Sequence, residues 1–173
     1  MRIIVFGGDG FCGWPTSLHL VNSGHTVLIV DNLIRREIDV QLGSNSLTQI
    51  ETIENRIKVA KEIFSNIEFM NMDISTEVAS LRELLSDWKP DAVIQFAEQR
   101  AAPYSMIDDK ARRYTVDNNI TGTHNICSAI VDIDFCADFW WTCFDIDVAE
   151  LNVTNSYSPA LEGLDFPLSV GET

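Results

Sequence analysis

An apolar run, Ile3-Ile4-Val5-Phe6, leads straight into Gly7-Gly8-Asp9-Gly10-Phe11-Cys12-Gly13, and this junction constrains the fold more than any other stretch of the chain. The apolar run predicts a buried strand, and Trp14 to Asn22 predicts a helix. A glycine-rich turn between strand and helix exposes backbone N–H groups at the helix N-terminus. Those groups and the helix dipole favour a phosphate. Gly7, Gly10 and Gly13 keep the G-x-x-G-x-x-G spacing, a variant of the dinucleotide fingerprint. A second predicted strand, Thr26 to Val30, ends at Asp31, 18 residues beyond Gly13. That is close to the roughly 20 residues expected for the acid that holds the adenosine ribose hydroxyls. An acid here repels a 2′-phosphate, so the pattern points to NAD as cofactor. The plainer reading is a glycine turn followed by an ordinary strand-end Asp. The full order of strand, turn, helix, strand and acid weighs against it.

With 173 residues, 46% of them hydrophobic, the chain can bury one sizeable core. No apolar run approaches the roughly 20 residues of a membrane helix, so no membrane insertion is expected. The chain enters a strand at once, which predicts no signal or transit peptide. Cys12, Cys127, Cys136 and Cys143 form no C-x-x-C pair and no metal-type spacing. The expectation is reduced thiols in a cytoplasmic chain, with no metal. The formal net charge of −14 argues against nucleic acid as a partner. All 12 Lys and Arg residues lie at or before Arg113, and from Asp132 onward there are nine acids and no base. Such a shift marks a change in the character of the chain.

Between these landmarks the pattern alternates. Asn32 to Gly43 reads as a polar loop. Leu47, Ile50, Ile53, Ile57 and Phe64 predict an amphipathic helix over 46–64. Ile67 to Asn71 predicts a third strand, and Ser75 or Thr76 caps a helix over 76–87 that Pro90 ends. Asp91 to Ala97 predicts a fourth strand, 98–109 a loop and 110–131 a long helix. The fold class is α/β, a Rossmann-like doubly wound parallel sheet. Phe139 to Phe144 reads as a fifth strand buried on both faces, with Trp140 and Trp141 in the core. The domain boundaries are 1–144 for an NAD-binding Rossmann domain and 145–173 for an acidic tail, irregular or peripheral.

The sequence resembles the UDP-sulfoquinovose synthase family, within the extended short-chain dehydrogenase/reductase (nucleotide-sugar epimerase/dehydratase) superfamily. The matching stretches are Gly8 to Trp14, Asp31 to Arg36, Gln41-Leu42-Gly43, Asp73-Ile74, Glu98 to Asp108, and Asn118-Asn119 with Gly122-Thr123. The glycine and Asp31 motifs are shared across the superfamily, and the 98–108 segment is specific to the sulfoquinovose branch. The resemblance covers roughly residues 1–130. It implies an enzyme that converts UDP-glucose and sulfite into UDP-sulfoquinovose for sulfolipid biosynthesis. A tightly held NAD would serve as transient oxidant: hydride leaves C4 of the glucose, water is lost across C5 and C6, sulfite adds at C6, and hydride returns.

On these grounds the candidate cofactor residues are Gly7, Gly10, Phe11, Cys12, Asp31, Asn32, Arg35, Arg36, Asp73, Ile74, Phe96, Ala97, Glu98 and Asn119. Arg35 and Arg36 read equally as a solvated basic pair, and Asp73 reads equally as a helix cap. Cys12 reads as packing, because no base lies near it in sequence. Gln99, Arg100 and Tyr104 are the candidate substrate residues. Residues 98–100 fall beyond the carboxyl end of a strand, where ligands bind, and the planar fork of Arg100 suits an oxyanion such as sulfite. The resemblance places Asn119 where the superfamily supports an active-site water chain.

The chain departs from the family in one decisive respect. The superfamily's Tyr-x-x-x-Lys pair, in which Lys⁺ lowers the tyrosine pKa, is absent. Four residues beyond Tyr104, Tyr114 and Tyr157 stand Asp108, Asn118 and Leu161. The family's Thr-containing motif after strand five is also missing, which leaves Thr142 as a weak catalytic candidate. The sheet reads as truncated after about strand five, with the C-terminal substrate domain largely missing. Three readings follow: a shortened enzyme of the sulfoquinovose type, a non-catalytic NAD-binding module, or a disrupted reading frame. A plain epimerase or dehydratase acting on another nucleotide sugar is the alternative within the enzyme class. An uncovered sheet edge predicts self-association.

Overall fold

The computed structural model describes residues 1–44, 46–100, 102–133, 138–143 and 146–150; for 102, 138–143 and 146–150 it describes the backbone. The centre of the molecule is a parallel sheet of β1 (Arg2–Phe6), β2 (Thr26–Asp31), β3 (Ile67–Asn71) and β4 (Ala92–Gln95). β5 (Asp138–Cys143) adds parallel to β4, and β6 (Ile146–Glu150) adds antiparallel to β5, giving the order β3-β2-β1-β4-β5-β6. Ile4 of β1 lies opposite Leu28 of β2 and Val93 of β4.

Strands covered on both faces need apolar residues at successive positions, which is why β1 and β2 are continuous apolar runs. One face buries Ile4, Phe6, Leu28, Val30 and Val93. Leu81 and Leu85 of α4 (Val78–Trp88) and Ile126 and Ile130 of α7 (Gly122–Asp132) cover it. The other face buries Ile3, Val5, Val27, Ile29 and Ile67. Val21 of α1 (Gly13–Asn22) and Ile53, Ile57 and Ala60 of α3 (Ile53–Ile63) cover that one. Helices on both faces make the doubly wound, Rossmann-like arrangement expected from the alternation.

Several boundaries differ from the sequence reading, each for a local reason. The polar loop over 32–43 contains a helix, α2 (Ile34–Gln41), which buries Ile38. The helix expected from residue 46 starts only at Ile53, where Thr52 Oγ1 accepts the Asn55 N–H at 3.3 Å. Leu47 and Ile50 are exposed, so nothing packs against the missing first turns. The loop over 98–109 contains a short helix, α5 (Ala102–Ser105). The long helix over 110–131 is α6 (Asp109–Val116), a π-helical turn (Asp117–Thr121) and α7.

Neither Ser75 nor Thr76 caps α4. The turn before it is held by Asp73, whose Oδ1 accepts the Ser75 N–H at 2.9 Å and hydroxyl at 2.6 Å, while Glu77 accepts the Asp73 N–H at 2.8 Å. Residues 146–150, which carry no strong side-chain period, form a strand at the sheet edge, paired with β5 across a register shift between Trp141 and Cys143. Backbone pairing along an exposed edge requires no such period. The side chains of Trp140, Trp141 and Thr142, and all of 151–173, lie outside the described residues.

Two glycines shape the turn between β1 and α1. Gly7 has φ +75°, and a Cβ there would sit 2.4 Å from the Ala97 nitrogen. A Cβ on Gly13 would sit 2.2 Å from the Gly7 carbonyl oxygen. Close approach of α1 to the turn therefore depends on both. Gly13→Ala is expected to lower unfolding stability by about 1–3 kcal/mol through overpacking. Gly10→Ala, whose Cβ would meet that same oxygen at 3.1 Å, is expected to cost less. Denaturant unfolding of the two variants measures the difference.

Candidate functional site

A cleft of about 250 Å³ opens beyond the carboxyl ends of the central strands. It lies where the strand order reverses between β1 and β4, the place at which doubly wound sheets bind ligands. Its floor is the glycine turn, with Gly7, Asp9, Gly10, Phe11, Cys12 and Gly13. One wall follows β2 and carries Asp31, Asn32 and Arg35. The opposite wall follows β4 and carries Phe96, Ala97, Glu98, Gln99 and Arg100. Met72, Ile74, Tyr114 and Asn118 close the back.

Asp31 joins the walls to the floor. Its Oδ2 accepts the Asp9 N–H at 2.9 Å, and its Oδ1 accepts the Leu33 N–H at 2.8 Å. Asn32 Oδ1 accepts the Ile34 N–H at 3.2 Å. These two consecutive side-chain turns hold Leu33 at φ +60°, a left-handed conformation that costs a non-glycine residue about 1–2 kcal/mol. Burial pushes the Asp31 carboxyl above the usual range. The Leu33 N–H and the charges of Arg36 and Arg35 pull it back in part.

Asp9 is itself buried, and two arginines meet its carboxylate. Arg36 of α2 pairs with Oδ2 at 2.7 Å, and Arg56 of α3 pairs with Oδ1. Arg36 also donates to the Asp9 carbonyl at 3.3 Å. Arg56 lies over the Trp14 ring, 4.4 Å from its centroid, and burial makes it less basic than a free arginine. Its Nε is buried with no hydrogen-bond partner among the described residues. Arg35 pairs with Asp39 at 3.7 Å, and burial followed by the charge of Arg100 lowers its basicity.

The π-helical turn fastens the wall after β4. Asn118 Nδ2 donates to the Ala97 carbonyl at 3.0 Å. Asn119 pairs with the Gln99 backbone twice, accepting its N–H at 2.8 Å and donating to its carbonyl at 3.0 Å. A π-turn shifts side chains out of the 3.6-residue phase, and here it turns two adjacent asparagines toward the same loop.

Tyr114 donates its hydroxyl to Asn118 Oδ1 at 3.2 Å and meets Tyr104 edge to face with ring centroids 6.0 Å apart. Burial, with smaller contributions from Asp73, Tyr104 and Asp31, pushes its pKa up to about 12, against a weaker opposing effect of Asn32. Burial thus favours the neutral phenol over the phenolate.

Most of the residues proposed from sequence line the cleft, and four do not. Arg36 is occupied with Asp9. Asp73 stands behind Asn32, accepting its amide at 3.2 Å, and also holds the turn before α4. Asn119 faces the Gln99 backbone, and Tyr104 packs on Tyr114. Thr142 has no described side chain. Sequence reasoning missed Asp9, Arg56, Tyr114 and Asn118 as site residues. Asp9 was visible inside the glycine motif. Arg56 lies 47 positions further on, in a helix with no motif, and nothing in the sequence connected the two.

Fold and site together define a Rossmann-like domain of the extended short-chain dehydrogenase/reductase superfamily. The chain belongs to the GDP-mannose 4,6 dehydratase family, whose sequence profile matches residues 4–140. It is 45% identical over 129 residues to a chloroplastic UDP-sulfoquinovose synthase of Spinacia oleracea, covering 75% of this chain and 27% of that protein. It is 40% identical over 135 residues to a UDP-sulfoquinovose synthase of Sulfolobus acidocaldarius, covering 78% of this chain and 34% of that protein. The chain thus spans about a third or less of the length of these relatives. Among solved structures, UDP-glucose 4-epimerase of Bifidobacterium longum, in complex with NAD+ and UDP, superposes with a TM-score of 0.61 at 21% identity. That match covers 82% of this chain and 36% of the epimerase, and supports the fold.

The Tyr114 shift has a definite sign. A phenol whose folded pKa lies above its unfolded value of 10.0 stabilises the fold fully below pH 10. That contribution is lost as pH rises through about 12. Tyr114→Phe is expected to lack this part of the alkaline stability loss, measured by unfolding between those limits. Ultraviolet titration of the parent chain should show a tyrosine ionising well after the exposed ones.

Proposed function

We propose that this domain holds NAD for a nucleotide-sugar enzyme of the UDP-sulfoquinovose synthase type, with UDP-glucose and sulfite as substrates. One observation carries the reading: the Asp31 carboxylate sits at the wall of the cleft with one backbone N–H on each oxygen. Each carboxylate oxygen has a second lone pair, so two acceptor positions are left for two ribose hydroxyls. The turn fits a pyrophosphate, because Gly7 and Gly13 keep side chains out of it and the start of α1 adds positive potential. NAD would supply the hydride chemistry. The chain's own part is to bind the dinucleotide, orient it against the wall after β4, and present Gln99 and Arg100 toward the sugar and the sulfite. Both relatives described above are named as UDP-sulfoquinovose synthases, which favours this substrate pair over other nucleotide sugars.

A second reading is favoured for the 173-residue chain by itself. With no Tyr-x-x-x-Lys pair, it binds NAD without turning over the sugar. No helix among the described residues is long and apolar enough to cross a membrane. Cys12 and Cys127 are free thiols, in keeping with a cytoplasmic setting. The spinach relative is chloroplastic by name, and fractionation of the source cells decides between the compartments.

Calorimetric titration of the purified chain tests the central claim. NAD is expected to bind, and Asp31→Asn to weaken it by about 1.5–3 kcal/mol, the worth of hydrogen bonds to a charged group. Because the Asp31 pKa is raised, affinity should start to fall at a higher pH on acidification than an ordinary carboxylate of pKa 3.8 would give. Unchanged affinity in Asp31→Asn would remove the basis of the reading.

We also propose self-association through the β6 edge, where the sheet of the described residues ends. Light scattering over a concentration series should show a rising mass, and a constant monomer mass would exclude it.

A further inference from the structure

Asp9 does more than fill a position in the glycine turn. Its N–H is bound by Asp31, and its carboxylate is bound by Arg36 and Arg56. The Asp9 side chain is 4% exposed, against 35% for Arg36 and 14% for Arg56. A buried carboxylate that pairs with two guanidinium groups fixes where those groups point. Arg36 stands close enough to Asp31 for its charge to act on that carboxyl. Asp31 marks the place of the adenosine ribose, a premise that rests on the NAD reading above. An arginine near that ribose is the usual means of accommodating a 2′-phosphate. Here that arginine is spoken for.

We infer that Asp9 is a specificity-determining residue: by holding Arg36, braced by Arg56, it withholds a guanidinium from the ribose 2′ position and so excludes NADP. Discrimination then has two parts. Asp31 repels a 2′-phosphate directly, and Asp9 denies it the charge of Arg36. Arg35 is paired with Asp39 and Arg36 with Asp9, so each carries its own carboxylate. A purely structural role, in which Asp9 only ties α2 and α3 to the turn, predicts something different. Its loss would weaken both dinucleotides by the same factor.

The test is the ratio of NADP to NAD dissociation constants, measured by calorimetry on the purified chain. The parent chain is expected to prefer NAD. Asp9→Asn, which keeps the side-chain shape, should lower the ratio about tenfold, the effect of one new charge-assisted contact worth about 1.4 kcal/mol. Adding Arg36→Met to that variant should restore the ratio. Arg35 is unchanged in every variant, so its contribution cancels. If Asp9→Asn does not fold, Arg36→Met alone decides. The ratio stays at the parent value if Arg36 is already withheld, and a rise in NAD preference means that Arg36 reaches the phosphate and overturns the inference. An unchanged ratio in folded Asp9→Asn also overturns it. Binding of neither dinucleotide by the parent chain would instead defeat the NAD reading itself, and the inference with it.

Discussion

A backbone-to-carboxylate hydrogen bond from the Asp9 N–H to Asp31 Oδ2, beside that of the Gly7 N–H to the Val30 carbonyl at 2.8 Å, ties the glycine turn after β1 to the end of β2. Through Asp31 the tie reaches Leu33 and the start of α2. Through the Asp9 side chain it reaches α2 again and α3. Turn, strand end and two helices are thus held in one network of charged groups. Such a network is strong where water is excluded, because a low local dielectric strengthens each bond. The left-handed Leu33 shows the tension it sustains.

The other wall of the cleft is held by neutral groups. Asn118 and Asn119 reach the loop after β4 from a π-helical turn and satisfy the backbone of Ala97 and Gln99. One wall is therefore set by ion pairs and the other by amides. The difference suits their roles in the proposed function. In that proposal the β2 wall would meet the ribose of a charged cofactor, and the β4 wall would present Gln99 and Arg100 to a sugar and a small anion. The basic residues, confined to the first two thirds of a chain with net charge −14, are in part committed here: Arg35, Arg36 and Arg56 each meet a carboxylate within the network.

The four central strands and both covering layers were legible because burial on two faces leaves continuous apolar runs, and helices leave a 3.6-residue period. The glycine turn and Asp31 were legible because a fixed spacing carries the geometry. The start of α3 was misread because Leu47 and Ile50 continue the helical period without packing on anything. Helix α2 was misread because its polar sequence looks like a loop, and Ile38 is its one buried residue. The strand β6 left no strong period, and it adds through backbone pairing at an edge.

The sequence by itself determined the doubly wound fold, the position of the cleft and the acid at its wall. Each of these depends on residues near one another in the chain or on a repeating pattern along it. Only the tertiary structure decided what the arginines do, which tyrosine is buried and where the asparagines point. Arg56 meets Asp9 across 47 residues, and Asn119 meets Gln99 across 20. The partner of a charged or amide side chain is set by which helices pack on which face of the sheet. No local spacing encodes that choice, and the chemistry of the site follows from it.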